Sequence, residues 1–456
     1  VELFGMHHCR LAGVLALVLA VTTSSGSSRA QTNGEPPLPV DNPTRTLPPG
    51  AGPFGPPPAP EPKGTWAYPH YDKGFVMVST LDPEFPFRLK LNHVSQFKYT
   101  NTLAVNKTFT DHLGNVRDVL RRHDIQLTRD VFYFSGFAFS PRLDYNVLLY
   151  TSTATLSATA AGYAGYVFSR AFALRAGFFS LPSSREMTGT YPYFHGTDRG
   201  MAVNYMRPGF TQGVWAEGEP IPQMKYIAMI GNSLNTLDLT ANKIDTHFAY
   251  AANVWYDINA FGHPWNDWEN HTEPAIRFGS GFTFAPEDRL SDLSKVTPDN
   301  SQTYISDGTL LFETGSLAPG VTISLANFYL FTADGGFKYR GFAINLGLFF
   351  RWLNHFEADG PLPMSSMFDW GYDFSVGYFV WRHRLEAYGR MSLIKGPFAT
   401  PVEAGGGLTF YPFATRGVWI NVEAMGIHKN PYGSLYYFYS AGQTGFLFQS
   451  QFMLRF

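Results

Sequence analysis

The last twelve residues of the chain, GFLFQSQFMLRF, alternate strictly. Phe446, Phe448, Phe452, Leu454 and Phe456 take the even positions with only Ser450 between them, while Gln449, Gln451 and Arg455 form the other row. Successive side chains of a β-strand point to opposite faces. This segment therefore has one apolar and one wet face over about ten residues, which is the pattern of a strand that crosses a bilayer within a barrel. A terminal aromatic on such a strand is expected to address the chain, through Phe456, to the barrel-assembly machinery of a bacterial outer membrane.

Composition supports the same class. Charged residues make up 15% and aromatics 16% of the 456 residues, with 41 Phe, 25 Tyr and 9 Trp, whereas soluble domains carry about 25% charged residues. Mean hydropathy is only -0.12, and no apolar run long enough for a helical span follows the N-terminus. Alternating lipid-facing and lumen-facing residues would average out in this way. A secreted β-sandwich is the competing reading. The net charge of -2 points to no particular partner, and nucleic acid is not expected.

Residues 1–30 read as a cleaved signal peptide. Met6, His7, His8 and Arg10 precede an apolar core from Leu11 to Val21, and Ser28-Arg29-Ala30 has the small-x-small pattern of a cleavage site. The only cysteine, Cys9, lies inside it, so the mature chain is expected to have no disulfide and no cysteine ligand. Residues 31–66 form a Pro-rich linker, extended because proline fixes φ and lacks an amide donor. Residues 67–84 lead into a barrel domain spanning 85–456.

Within that domain the alternation recurs. Phe87, Leu89, Leu91, Phe97 and Tyr99 oppose Arg88, Lys90, Asn92, Gln96 and Lys98. A Lys or Arg at the bilayer midplane costs roughly 2–4 kcal/mol, so the charged row must face a wet lumen. Phe172, Leu174 and Ala176 oppose Arg175, while Ile344, Leu346 and Phe350 oppose Asn345 and Arg351. Trp370, Tyr372 and Phe374 oppose Asp373 and Ser375; Leu385, Ala387 and Met391 oppose Arg384, Glu386 and Arg390; Ile420 and Val422 oppose Asn421 and Glu423. Between Ile125 and Ala158 two strands flank a turn near Pro141, but their aromatics occupy both parities, as at a membrane-edge girdle or a contact with another subunit. At about 23 residues per strand and connection the domain holds sixteen strands, with fourteen or eighteen as near alternatives. Residues 101–123, 183–200, 259–274 and 286–308 read as loops, most of them extracellular, with inward folding of one or more as the alternative. The fold class is thus all-β, a transmembrane antiparallel β-barrel behind a signal peptide and a Pro-rich segment.

Several stretches resemble the family of phosphate-selective porins O and P, in that family's order. They are Arg121-Arg122-His123-Asp124-Ile125 leading to Gly136, the hairpin AGYVFSRAFALRAGFFSLPSSRE, Thr197-Asp198-Arg199-Gly200, Arg207-Pro208-Gly209, and the strands at 226–232, 338–350, 371–390, 405–411 and 449–456. The resemblance implies a sixteen-stranded trimeric porin, anion-selective in the namesake members. Two departures stand out. Phe179 and Ser180 occupy positions where the family often has a lysine, which argues against a tight phosphate site, and the strand at 226–232 carries its Gly and Asn in reversed order.

An anion channel should line its lumen with cations. By parity the basic candidates are Arg88, Lys90, Lys98, Arg175, Arg277, Arg351, Arg384, Arg390 and Arg455, against Asp130, Asp144, Asp373, Glu386, Glu403 and Glu423. The anion-binding set is taken as Arg88, Lys90, Lys98, Arg175, Arg351, Arg384 and Arg390. The alternative is that these charges pair with the lumen acids and merely keep it wet. His195, Asp198 and Arg199 share a loop with Ser183 and Ser184, but no nucleophile elbow, metal-binding histidine pair or phosphate-cradling loop accompanies them. No enzyme, cofactor or metal is therefore expected. Asp267, Glu269, His271 and Glu273, flanked by Trp265 and Trp268, read as a solvated acidic loop, with a divalent cation or a sugar as the alternative. Arg382 marks the membrane edge.

The resulting expectation is an outer-membrane porin for passive diffusion of small anions such as phosphate, homotrimeric and surrounded by lipid and lipopolysaccharide. A sugar-preferring or general porin, and a plugged structural or adhesive barrel, are the alternatives.

Overall fold

The computed structural model describes residues 69–82, 84–189, 191–236, 239–290, 295–300, 303–434 and 439–456. The expected signal peptide (1–30) and Pro-rich linker (31–66) lie outside the described residues. Sixteen antiparallel strands close into a barrel. They are β1 (Phe87–Asn101), β2 (His123–Ala138), β3 (Ser140–Ser152), β4 (Ser157–Ser169), β5 (Phe172–Ser180), β6 (Phe210–Ile221), β7 (Met224–Gly231) and β8 (Ala249–Ile258). The second half comprises β9 (Ala275–Asp288), β10 (Ile323–Tyr339), β11 (Phe342–Ala358), β12 (Ser366–Trp381), β13 (Leu385–Lys395), β14 (Val402–Phe410), β15 (Val418–His428) and β16 (Gly445–Arg455). Strand β9 continues through Pro286 to Asp288, so the loop expected from residue 286 begins later.

Each strand pairs with its sequence neighbours, and β16 returns to β1 with Phe448 opposite Asn101 and Arg455 opposite Val94. That leaves the first part of β1 without β16. The lead-in fills the gap: Phe75–Thr80 pairs with β1, Phe75 opposite Leu91 and Thr80 opposite Phe87. It follows directly on from the chain end. The Phe456 amide donates to the His93 carbonyl at 3.1 Å, the His93 amide donates back at 3.0 Å, and the Phe456 and Phe75 rings meet at 5.3 Å. An open edge in hydrocarbon would leave amides unsatisfied, and this splice removes it.

The alternation read from sequence sets the two faces. On β16 Phe446, Phe448 and Phe452 are exposed on the outside, whereas Leu447, Gln449, Gln451 and Met453 are buried inside. On β12 Trp370, Tyr378 and Val380 face out, and Asp373, Ser375 and Phe379 face in. The same holds for Leu346 and Trp352 against Asn345 and Arg351 on β11.

A sixteen-stranded barrel is wide enough to leave an aqueous channel, yet much of this interior is occupied. The connection of residues 181–209 turns inward and carries a short helix, α1 (Met201–Met206), every residue of which is buried. Its apolar side chains pack with Phe349, Leu353, Met367, Ile394, Met425 and Leu447, which point inward from β11, β12, β13, β15 and β16. Residues 259–274 enter from the opposite mouth, since they follow β8, which runs the other way. The principal core therefore lies inside the barrel against one wall.

Candidate functional site

The inner loop is held by a lattice of side chains from the wall. At its centre is Asp198, whose carboxylate receives Lys98 Nζ from β1 at 3.2 Å and Arg129 Nη1 from β2 at 2.8 Å. Arg390 of β13 donates to the Asp198 carbonyl at 2.8 Å and pairs with Glu423 of β15 at 2.6 Å. The Thr197 amide donates to Glu423 at 2.9 Å and the Met201 amide to Glu403 at 2.8 Å. His195 lies 2.9 Å from the Ser375 hydroxyl and 3.1 Å from Glu386. Strands on both sides of the β16–β1 seam thus grip a single stretch of loop. Burial alone would push the Asp198 carboxyl up, but the adjacent Arg129 and Lys98 hold it well below the usual carboxylate range.

Gly200 has a local reason. It precedes α1 against β12, where a Cβ would overlap the Asp373 carboxylate. Only glycine lets the backbone come that close.

The two inward connections meet inside the barrel. The Trp265 amide donates to the Tyr193 carbonyl at 3.0 Å. Arg185 reaches the His263 and Pro264 carbonyls at 3.2 Å and stands 4.9 Å above the Phe261 ring. Lys338 of β10 donates to the Phe261 carbonyl at 2.7 Å. Of the segment expected to be a solvated acidic loop, Asp267 is buried and accepts the Gly341 amide at 2.7 Å, whereas Glu269, which pairs with Arg416 at 2.7 Å, and Glu273 are exposed. At Asp267 a backbone donor takes the place of water.

Beside these elements a cavity of about 730 Å³ lies open on the β2–β6 side. Its floor and walls come from Arg129, Val131 and Tyr133 of β2, Leu148 and Tyr150 of β3, Thr159 and Ala161 of β4, and Phe179 of β5. Glu186, Met187, Tyr191, Arg199 and Arg207 close it from the inner loop, and Tyr304, Tyr432 and Tyr439 stand at the mouth with the long loops.

The structure distributes the sequence-selected cations unevenly. Lys98 and Arg390 meet around Asp198. Arg175 pairs with Asp144 at 2.8 Å and with Glu217. Arg351 pairs with Asp369 at 2.6 Å and lies 4.2 Å over Tyr205. Arg277 lies between Asp257 at 3.7 Å and Asp334 at 3.5 Å. Arg88 sits at the short-turn mouth and pairs with Asp72 of the lead-in at 2.6 Å. Lys90 is beside it on β1, opposite Val76. Arg384 lies in the turn before β13, donating to the Pro412 carbonyl and 5.7 Å from the Trp381 ring. Arg88 and Arg384 thus stand apart from the Asp198 cluster.

One lumen acid was misplaced by parity. Asp130 faces outward, 2.7 Å from His93 and bonded to Ser95. The cause is a β-bulge: Gln96 pairs with Arg129 but Phe97 pairs with Leu127, so Thr128 is an extra residue and the faces of β2 exchange there. The same bulge turns Arg129 inward, a residue that parity did not select; the aromatics lie beyond it, with Tyr133 and Phe137 on the inward row and Phe132 and Phe134 on the outward one. Arg199 and Arg207 were missed as lining residues because loop residues have no parity to read.

No protein-family profile and no curated protein matches the chain. Among solved structures it is similar to the outer-membrane expressed OmpT of Vibrio cholerae, with 10% identity and a TM-score of 0.51 over 81% of this chain and 98% of that one. It is also similar to an anion-selective porin from Comamonas acidovorans, with 11% identity and a TM-score of 0.50 over 81% of this chain and all (100%) of that one. At these identities the likeness is one of fold.

Proposed function

We propose that this chain is an outer-membrane channel through which small solutes diffuse passively, with lumen cations biasing passage towards anions, phosphate included. The observation that carries the reading is the off-centre cavity: a barrel with an apolar exterior keeps an open space beside an inner loop, and Arg129, Arg199 and Arg207 line that space. Guanidiniums between low-dielectric walls concentrate anions near a constriction. The resemblance to the phosphate-selective porins O and P and the shared fold with an anion-selective porin support the same direction. Lys98, Arg175, Arg351 and Arg390 shape the field from within ion pairs, and Arg88, Lys90 and Arg384 stand towards the short-turn mouth. The working form is a homotrimer in lipid and lipopolysaccharide, delivered through its C-terminal strand.

The test is single-channel conductance of the refolded protein in a planar bilayer. A reversal potential under a KCl gradient is expected to show anion preference, and phosphate is expected to reduce chloride current. Cation preference would overturn the anion reading. The packed interior favours one second reading, a structural barrel whose inner loops block passage; absence of any conductance from folded protein would select it.

A further inference from the structure

We propose that the cavity beside the inner loop is a binding step for aromatic carboxylates, anions with a flat apolar body, in preference to inorganic phosphate. This rests on the channel reading above and names its solute class. The space, about 730 Å³, is of the size that holds a small organic ligand. Its surface is mostly apolar, with the rings of Tyr133, Tyr150, Tyr191 and Tyr439 prominent in it. Against the apolar part of this surface a phosphate ion makes no favourable contact and gives up hydration, so only the guanidiniums hold it. Aromatic walls reward a ring that can stack on them.

The polar groups are matched to the other end of such a solute. Arg129, Arg199 and Arg207 bring guanidinium forks to the lining, and a fork suits a planar carboxylate. Two of them are set by ring contacts, Arg129 at 5.2 Å from Tyr191 and Arg199 at 4.8 Å from Phe194. Glu186 also lines the cavity; its carboxyl is buried, and Oε2 has no hydrogen-bond partner among the described residues. Burial, with Asp334 nearby, pushes its pKa up. A carboxyl shifted in that direction repels an arriving carboxylate less than an ordinary one does. A neutral sugar would use the tyrosine hydroxyls but gain nothing from the guanidinium charge.

The experiment compares three probes as blockers of KCl current through the intact protein: benzoate, inorganic phosphate and benzyl alcohol. Benzoate is expected to halve the current at about one-tenth of the concentration needed for either of the others, the margin of one charge-assisted hydrogen bond or one stacked ring. Tyr150→Ala should raise the benzoate value and leave the phosphate value in place. Phosphate blocking at an equal or lower concentration than benzoate, or benzyl alcohol matching benzoate, overturns the assignment. If folded protein carries no current, the channel reading fails by itself. Calorimetric titration of benzoate and phosphate into detergent-folded protein then decides the site on the same tenfold margin.

Discussion

The wall from β11 to β16 and the wall from β2 to β6 are built from the same alternating strands, yet the barrel uses them differently. On the first, inward Phe349, Leu353, Met367, Ile394 and Met425 receive α1 and form a dry core. On the second, Thr159 and Ala161 are small, Tyr133 and Tyr150 stand beside Val131 and Leu148, and the space stays open. The seam between the two is the Asp198 cluster, where cations from β1 and β2 meet Arg390 of β13. One wall anchors the inner loop and the other borders the cavity. Barrel diameter alone therefore says little about the channel; the sizes of the inward side chains decide which sector is filled.

The largest way to break this division is Asp198→Asn. It leaves Lys98 and Arg129 buried without their shared counter-charge, and stranding a buried charge costs about 3–5 kcal/mol. Denaturation of the detergent-folded protein should shift by that amount, and the channel should widen and become more anion-selective in the bilayer. An unchanged denaturation midpoint would show that the cluster does not hold the loop. Next is Met206→Ala in α1, a core truncation that costs about 2 kcal/mol or more. It should lower stability with little change in selectivity, because it weakens the dry wall and leaves the seam charges in place.

The open wall answers to a different change. Ala161→Trp places an indole in the cavity from β4, where no packed neighbour must be displaced. Single-channel conductance should fall severalfold while stability moves by about 0.5 kcal/mol or less, as substitutions outside packed cores do. A large loss of stability with conductance intact would mean that the cavity is not on the conduction path.

The sequence made the walls legible and the contents of the barrel much less so. Parity separated Phe448 from Gln449 and Trp370 from Asp373 correctly, because lipid on one side and polar partners on the other punish any exchange of faces. It failed at Thr128, where one inserted residue inverted the reading of Asp130 and Arg129, and a bulge leaves no mark in composition. The loops were harder. Asp198 and Arg199 drew notice through the resemblance and through a catalytic grouping that did not hold up, neither of which pointed to an anchoring role, and nothing local in Asp267 indicates that the Gly341 amide waits for it inside. Pairing decides the role of the lumen cations as well: Arg175, Arg351 and Arg390 lie buried within the barrel, and the carboxylates that meet them, Glu217, Asp369 and Glu423, come from other strands, so their proximity is a property of register and closure.

The finest test of the open wall is its response to pH through Glu186. Burial, reinforced by Asp334, raises this carboxyl in the folded state, so the folded protein holds its proton more tightly than the unfolded chain does. The corresponding stability is fully present below the ordinary carboxylate range and is lost as pH rises through the raised value. Glu186→Gln keeps the shape and removes the titration. The variant should therefore lose this part of the slope of stability against pH, gaining on wild type as pH rises, while Asp198, whose carboxyl is depressed, continues to lose its contribution only in strong acid. A slope that survives in Glu186→Gln would place the titrating group elsewhere; a slope that disappears while conductance persists would tie the proton to the cavity wall and not to the anchor of the inner loop.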